Sequence, residues 1–334
     1  MKKLAVIALT LVLSITAGCA LFLSSLYNFA ESPSGPGNGI FFFNINPGDS
    51  FSTVAENLHN KNIVEDIFRF RIYAYINKKD RAIKAGEYQI SPSMTPEEIL
   101  GKFVAGKVYL YKLTIPEGVN ISQIGDIIEK SGLCAKKRFI AKAMDKTFAE
   151  EMHMPHKSFE GYLFPETYYF PKNVLPQKII KTMVSRFKSI MGDEWKRRAE
   201  EIGLSVHEVV TLASIIEKET GTPSERPIIS SVFHNRLKKG MRLESDPTVI
   251  YGIKDFDGDI KRKHLREETP YNTYVIKGLP PGPIASPGYE SLKAALHPAK
   301  TSYFFFVAKG DGTHYFSRNY NEHLLAVRKY QLGE

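Results

Sequence analysis

The stretch Ser205–Glu219 reads SVHEVVTLASIIEKE and predicts the central helix of the fold. Its first residue is followed three positions later by Glu208, the pattern of a capping box that fixes a helix start. At about 100° per residue, Glu217 falls on the same side as the small apolar residue Ala213. An acid therefore stands where an apolar residue is expected.

A carboxylate on an apolar helix face loses solvation, which raises its pKa and suits it to donate a proton near neutral pH. We therefore predict Glu217 as a general acid. A structural alternative stays open, in which Glu217 pairs with Arg226 or Arg236 and ties helices together. Glu219 falls about 160° around the helix, so the two glutamates are not expected to form one paired site.

Composition limits the possible classes of protein. The 334 residues are enough for about two domains. The 45 Lys and Arg against 36 Asp and Glu give a net charge of +9, which favours an anionic partner. With only Cys19 and Cys134, a disulfide framework and a four-cysteine metal site are excluded.

The histidines show no spacing typical of metal ligands. His153 and His156 flank Pro155 and are predicted as surface loop residues. We expect neither a metal nor a cofactor.

The amino-terminal segment predicts export. No residue from Leu4 to Ala30 is charged, and this run exceeds the roughly 20 residues that cross a bilayer as a helix. Lys2 and Lys3 precede it, which places the amino terminus in the cytoplasm. A cleaved signal peptide and a lipoprotein signal ending at Cys19 are the alternatives. Export disfavours nucleic acid as the partner and favours an anionic cell-wall polymer.

A weak repeat of strand, Pro/Gly turn and helix recurs after 70 residues, with Ile45–Gly48 matched by Ile115–Gly118. It is either an ordinary strand–turn–helix pattern or a pair of modules resembling LysM, a small carbohydrate-binding unit. The stretch Glu31–Gly39, ESPSGPGNG, is typical of a semi-flexible tether. The run Phe304–Phe306 predicts a buried strand that contributes to the core.

Polar and aromatic loops follow the central helix, of the kind that lines a sugar cleft. Together with neighbouring segments they form seven ordered motifs. These are FEGYLFPETYYF at Phe159–Phe170, ASIIEKET at Ala213–Thr220, SVFHNRL at Ser231–Leu237, RLESDPTVIYG at Arg242–Gly252, YNTY at Tyr271–Tyr274, GLPPGPIASPG at Gly278–Gly288 and LKAALHPA at Leu292–Ala299. On these motifs the chain resembles the endolytic murein transglycosylases, the YceG-like family.

The resemblance implies non-hydrolytic cleavage of peptidoglycan strands between N-acetylmuramic acid and N-acetylglucosamine, leaving a 1,6-anhydro end. It places the family's catalytic glutamate at Glu217. One carboxyl group suffices because the sugar's own C6 hydroxyl is the second nucleophile, whereas ordinary glycosidases need two. The chain departs from the family pattern at Glu244, where a glutamine is expected, and at Ser286, where an asparagine is common. The predicted substrate-binding residues are Asn235, Arg236, Glu244, Ser245, Asp246, Thr248, Tyr271, Asn272, Thr273 and Tyr274.

The expected fold class is α+β, with an N-terminal transmembrane helix, a LysM-like α+β subdomain and a mixed α+β catalytic domain. The predicted boundaries are a cytoplasmic tail at 1–3, the membrane helix at 4–30, a linker at 31–39, the LysM-like domain at 40–107, a second small α+β unit at 108–165 and the catalytic domain at 166–334. The predicted location is the cytoplasmic (inner) membrane, single-pass, with the catalytic domain in the periplasm.

The predicted partners are peptidoglycan glycan strands and the membrane, with cell-wall synthases as a further candidate and no nucleic acid. Two other functions stay open. One is a non-catalytic peptidoglycan-binding scaffold. The other is a hydrolytic muramidase with a second acid such as Asp246 or Glu219 near Glu217.

Overall fold

The protein is described from a computed structural model, which covers residues 2–35, 37–155, 158–254 and 256–333. These ranges contain helices and three two-stranded sheets, so the chain has the predicted α+β character. The chain divides into two compact units, Met1–Tyr111 and Lys112–Glu334. Each is described by itself below.

The first unit contains four helices and two paired strands among its described residues. They are α1 (Lys2–Glu31), β1 (Phe41–Ile45), α2 (Phe51–Asn60), α3 (Ile67–Ile76), β2 (Gly86–Ile90) and α4 (Pro96–Ala105). Strand β3 (Leu110–Thr114) crosses into the second unit. Helix α4 begins with a capping box formed by Thr95 and Glu98, with Pro96 in the first turn.

An aromatic core holds the first unit together. Strands β1 and β2 are antiparallel and pair Phe43 with Tyr88. The ring of Phe103 on α4 packs against both, at centroid distances of 5.8 and 4.8 Å. All three side chains are fully buried, and the Tyr88 hydroxyl donates to the carbonyl of Lys84 at 2.7 Å. The buried polar group is thus satisfied within an apolar core.

Helix α1 is long and apolar enough to cross a membrane, with a mean hydropathy of 2.5 over its most apolar window. Its last turns belong to the folded unit, because Leu26 and Ala30 are buried in the same core as Phe43.

The backbone bonds of the segment after α1 correct the prediction of a semi-flexible tether. The amide of Ser34 donates to the carbonyl of Met94 at 2.9 Å, and the amide of Gly35 donates to Pro92 at 3.1 Å. Proline and glycine prevent this stretch from joining a helix or sheet, but they leave its backbone free to bond to a neighbouring loop. Its first residues are therefore fixed to the unit.

The second unit is mostly helical. Its elements are α5 (Ile121–Lys130), α6 (Lys136–Ala143), α7 (Lys146–Glu151), β4 (Thr167–Pro171), α8 (Pro176–Ile190), α9 (Asp193–Glu201), α10 (Val206–Glu219), α11 (Arg226–Lys238), α12 (Asp246–Gly252), α13 (Tyr289–Leu296), β5 (Phe305–Ala308), β6 (His314–Ser317) and α14 (Tyr320–Val327). Strand β3 pairs with β4, and β5 pairs antiparallel with β6.

The predicted boundary after residue 165 does not divide the second unit. The amide of Ile115 bonds to the carbonyl of Glu166 at 3.0 Å, which joins the segments on either side. The predicted repeat recurs as elements, since β1–α2 and β3–α5 each enclose a glycine with positive φ, Gly48 at 92° and Gly118 at 74°. The likeness of these modules to LysM stays a prediction.

Helix α10 is the centre of the second unit. Its predicted capping box is present, with Ser205 and Glu208 bonding reciprocally. Every residue from Val209 to Ile216 is buried, and α9, α11, α12 and α13 contact the helix. The expectation that this helix has a single apolar face is therefore wrong, because it is covered on all sides from Val209 to Ile216.

Glu160 ties the start of α5 to the rest of the unit. Its carboxylate accepts from the amide of Ile121 at 3.1 and 3.3 Å, and from the hydroxyl of Tyr251 at 3.1 Å. Burial raises the pKa of Glu160 to about 7, although these hydrogen bonds act in the opposite direction. A buried carboxyl group thus satisfies an amide at the open end of a helix.

We expect Phe43→Ala to lower the free energy of unfolding by about 3–5 kcal/mol, because it leaves a cavity in the aromatic core. Phe42 is the matched control: it neighbours Phe43 on β1 but is half exposed. We expect Phe42→Ala to cost less than about 1 kcal/mol. Urea unfolding of the full chain in detergent measures both, and equal losses would contradict this account of the core.

We expect Glu160→Gln to alter the pH dependence of stability. Between pH 4.5 and about 7 the folded protein keeps a proton on Glu160 that the unfolded chain releases, so wild-type stability falls as pH rises. The amide of the variant does not titrate. Its free energy of unfolding, relative to that of wild type, should therefore rise by a few kcal/mol between pH 4.5 and about 7. Glu166→Gln, at a half-exposed carboxylate paired with Arg186, should leave the slope intact. Parallel curves for wild type and Glu160→Gln would contradict the prediction.

Candidate active-site cleft

A cleft of about 440 Å³ opens where the end of α10 meets α12 and β5. We call it the Glu219 cleft. Its polar wall is formed by Glu219, Arg236, Glu244, Asp246 and Tyr274. Its other lining residues include Phe305, Phe306, His314, Tyr320 and His323. Charged groups and aromatic rings in one cleft suit a ligand with both apolar faces and hydroxyl groups, as a sugar has.

Glu219 is the last residue of α10, and its carboxyl group lies inside this cleft. Its Oε1 accepts a hydrogen bond from the Ser245 hydroxyl at 2.5 Å. Burial is the main cause that raises the pKa of Glu219 to about 7, and the nearby Asp246 carboxylate adds to it. The Ser245 hydrogen bond and the charge of Arg236 partly oppose the rise. Glu219 can therefore exchange a proton near neutral pH.

Arg236 builds the wall of the cleft through backbone contacts. Its Nε donates to the carbonyl of Phe304 at 2.6 Å, and Nη1 donates to that of Leu243 at 2.8 Å. Nη1 also contacts Glu244 at 3.1 Å, and the guanidinium lies 5.0 Å from the ring centre of Phe305. The arginine thus joins α11, the loop before α12 and β5.

Asp246 and Tyr274 face the cleft as a bonded pair. The tyrosine hydroxyl donates to Asp246 Oδ1 at 2.8 Å. Burial and this bond raise the pKa of Tyr274 well above its ordinary value, so the phenol stays protonated. Asp246 accordingly keeps a hydrogen-bond donor aimed at its carboxylate.

Three predicted site residues are buried behind the cleft and position those that line it. The hydroxyls of Thr248 and Thr273 are 2.8 Å apart, and Thr273 Oγ1 also accepts from the amide of Ser245 at 2.9 Å. Asn272 Oδ1 accepts from the amide of Tyr274 at 3.0 Å. All three are almost fully buried. The bonds of Thr273 join the YNTY loop to Ser245 and to α12, and Asn272 orients the backbone of Tyr274.

Glu217 lies in a different environment from Glu219. One oxygen is 3.5 Å from Nη2 of Arg226, and the other accepts from the amide of Gly288 at 2.9 Å. Its side chain is only 7% exposed. The ion pair with Arg226 that the structural alternative expected is present. A catalytic role for Glu217 stays a prediction.

A further carboxylate, Glu117, lies beside this ion pair. Burial raises its pKa, the Glu217 carboxylate raises it further, and Arg226 lowers it. The contact is tight, because a Cβ on Gly288 would lie 1.8 Å from Glu117 Oε1. Glycine at 288 is therefore needed for this close approach.

Asn235 and Tyr271 are not brought together with Glu219. Asn235 Nδ2 donates to the carbonyls of Thr301 and Tyr303, at 3.1 and 2.9 Å, and it lines a separate cavity of about 750 Å³. Tyr271 packs against Tyr251 with ring centres 4.8 Å apart. Of the predicted binding residues, Arg236, Glu244, Asp246 and Tyr274 line the Glu219 cleft and Ser245 bonds to its glutamate.

Sequence reasoning did not place Glu219 or the Phe304–Phe306 run at a cleft. Phe305 and Phe306 are half-buried and line the cleft, so this strand is not purely core. The helical-wheel argument assumed one apolar face and set Glu219 aside. Its position at the helix end, before polar loops, was the available signal.

Metal-binding geometry is absent from the part of the chain that the structure describes, which holds no group of three or more His, Cys, Asp or Glu placed for an ion. His153 is exposed, as predicted for a loop residue. His156 lies outside the described residues.

Comparison with known proteins identifies relatives over most of the chain. The model of the YceG-like family matches residues 43–329. A Bacillus subtilis protein named endolytic murein transglycosylase is 35% identical over 95% of this chain and 91% of its own length. A Streptococcus pneumoniae protein of the same name is 28% identical over 83% of this chain and 56% of its own length.

A solved structure supports the same grouping. The crystal structure of a yceG-like protein from Listeria monocytogenes matches with a TM-score of 0.61 and 34% identity, over 87% of this chain and all of that one. The family match covers far more than half of the sequence, and the fold agrees with it. The chain belongs to the YceG-like family.

Proposed function

We propose that this chain is an endolytic murein transglycosylase that cuts peptidoglycan glycan strands, with Glu219 as its acid and base. The observation that carries the proposal is the carboxyl group of Glu219, whose pKa is about 7, inside a cleft with polar and aromatic walls. The names of the Bacillus and Streptococcus relatives support the substrate and the reaction class.

The proposed reaction begins with proton transfer from Glu219 to the glycosidic oxygen between N-acetylmuramic acid and N-acetylglucosamine. The bond from C1 of the muramic acid to this oxygen breaks, and the sugar's C6 oxygen forms a new bond to C1. The Glu219 carboxylate then takes the proton from the C6 hydroxyl. The atoms balance without water, and the product carries a 1,6-anhydro end.

The other cleft residues have distinct proposed roles. The carboxylate of Asp246, oriented by Tyr274, lies where it can stabilise positive charge that develops on the sugar ring. The rings of Phe305 and Phe306 offer apolar faces to pyranose rings. Ser245 orients the Glu219 carboxyl group and tunes its pKa.

Glu217 is the alternative acid implied by the family resemblance. Its buried ion pair with Arg226 and its bond from Gly288 support a structural role, because both contacts hold its side chain outside the lining of the Glu219 cleft. Two other candidate functions remain distinguishable by their products: a muramidase would add water, and a scaffold would not cleave at all.

We also propose that α1 is a single-pass anchor in the cytoplasmic membrane, with the remaining chain on the outer side. The burial of Leu26 and Ala30 in the first unit supports retention of the helix, because cleavage after Ala30 would remove two core residues. The predicted glycan binding by residues 40–107, the further domain boundaries and the partnership with cell-wall synthases stay proposals.

We expect Glu219→Gln to lower the cleavage rate by about 10²–10⁴-fold or more, since the amide cannot supply the proton. Glu217→Gln should weaken stability through loss of the Arg226 ion pair while activity of the folded protein stays within about tenfold. Purified glycan strands are digested by the full chain in detergent, and the products are weighed. Anhydro ends weigh one water less than hydrolytic ends.

Glu244→Gln serves as the matched control, because it removes another cleft carboxylate at a half-exposed position. It should retain far more activity than Glu219→Gln. If Glu217→Gln is folded but inactive while Glu219→Gln is active, Glu217 is the acid. Products with hydrolytic ends would overturn the transglycosylase mechanism.

We expect Ser245→Ala to shift the basic limb of the pH–rate profile to higher pH. The Ser245 hydroxyl donates to the Glu219 carboxylate and lowers its pKa, so removing it raises the pKa and keeps the acid protonated at higher pH. Ser230→Ala removes an equally buried serine that bonds to Ala294 instead, and should leave the limb in place. A shift of this limb to lower pH in Ser245→Ala would contradict the assignment of Glu219 as the acid.

A further inference from the structure

The first unit is attached directly to the helix that we propose as the membrane anchor. The side chains of Leu26 and Ala30 are 1% and 0% exposed in its core. The ring of Tyr27 meets that of Tyr73 on α3 edge-on, with centres 6.1 Å apart. Helix α3 is therefore held against α1 by packing, without an intervening flexible segment.

The length of α1 sets the depth of this contact. About 20 helical residues span the apolar part of a bilayer, so a span that starts at Leu4 ends near Leu23. Tyr27 lies four residues further, which is about 6 Å along the helix axis. The headgroup layer on each side of a bilayer is about 5–7 Å thick. The contact between α1 and α3 thus falls at headgroup level.

The outer face of α3 is apolar and unusually exposed. Phe68, Tyr75 and Ile76 are 64%, 72% and 44% exposed. Beside them, Ile67 and Ile72 line an open groove of about 550 Å³. Large aromatic side chains at the surface of a folded unit indicate an interaction site. Tyrosine and other aromatic rings are typical of the membrane–water boundary.

The charge on this segment is net positive. Residues 65–81 carry five basic side chains, Arg69, Arg71, Lys78, Lys79 and Arg81, against three acids, Glu65, Asp66 and Asp80. Asp66 pairs with Arg69 and Asp80 with Arg81, whereas Arg71, Lys78 and Lys79 lie outside these two ion pairs. Basic side chains among exposed aromatic ones favour binding to a surface with a negatively charged outer layer over an apolar interior. An anionic phospholipid interface has this arrangement.

We propose that α3 docks on the anionic phospholipid surface of the membrane that α1 crosses. Phe68, Tyr75 and Ile76 enter the headgroup layer, and the neighbouring basic residues contact lipid phosphates. The first unit is then held to the membrane at two points, by α1 and by α3. The proposal depends on α1 being an anchor and is independent of the enzymatic activity.

A tryptophan on the docking face tests the proposal. The single native tryptophan is replaced by Trp195→Phe, and Phe68→Trp is introduced into the full chain. The chain is reconstituted into vesicles of phosphatidylglycerol and phosphatidylethanolamine that carry a shallow quencher on the lipid chain. We expect blue-shifted emission and about twofold or greater quenching. Flotation with the vesicles after a carbonate wash checks that α1 is inserted.

A charge-matched pair of variants tests the role of the basic residues. Arg71→Gln, Lys78→Gln and Lys79→Gln together should reduce the quenching. The control combines Lys130→Gln, Lys137→Gln and Arg138→Gln, which remove the same charge at exposed positions of the second unit. It should leave the quenching unchanged.

Three results would overturn the proposal. One is water-like, unquenched emission from chains that float with the vesicles. Another is failure of α1 to insert. The third is quenching or a blue shift that appears only at high protein-to-lipid ratios, which would assign the α3 face to contact between two copies of the chain.

Discussion

Burial of α10 on every side is the constraint on which the second unit depends. From Val209 to Ile216 no residue reaches solvent, so the helix can end only where its polar residues find partners. Glu217 and Glu219 are the last two acids, about 160° apart around the axis. One is directed toward Arg226 and Gly288, and the other toward Ser245 and the cleft. The separation of the two glutamates thus follows from helical geometry in a fully covered helix.

Glu217 and Glu219 differ in how closely an arginine contacts their carboxyl groups. Arg226 lies 3.5 Å from Glu217, and Glu117 adds a second carboxylate beside the same cation. Arg236 lies near Glu219, but its donors bond to backbone carbonyls of Phe304 and Leu243 and to the Glu244 carboxylate. Its positive charge only partly opposes the effect of burial on Glu219. A proton can therefore stay on Glu219 near neutral pH.

The elements of this fold were largely predictable from the sequence, because their signals are local. The capping box at Ser205 lies where it was predicted. The apolar run of α1 was equally clear. Local signals could not show that other helices cover all sides of α10, so they could not predict the different surroundings of Glu217 and Glu219. The same limit applies to Asn235, whose partners Thr301 and Tyr303 lie more than 60 residues away.

The polar loops around the cleft show why motif residues divide into two groups. Thr248, Asn272 and Thr273 are buried, whereas Asp246 and Tyr274 reach the cleft. A buried hydroxyl or amide must find a partner inside the protein. Thr248 and Thr273 bond to each other between the two segments, and Asn272 bonds to the backbone of Tyr274 within its own loop. Those bonds fix the backbone that carries Asp246 and Tyr274. A motif of consecutive polar residues therefore encodes both the surface that meets a ligand and the network that holds that surface rigid.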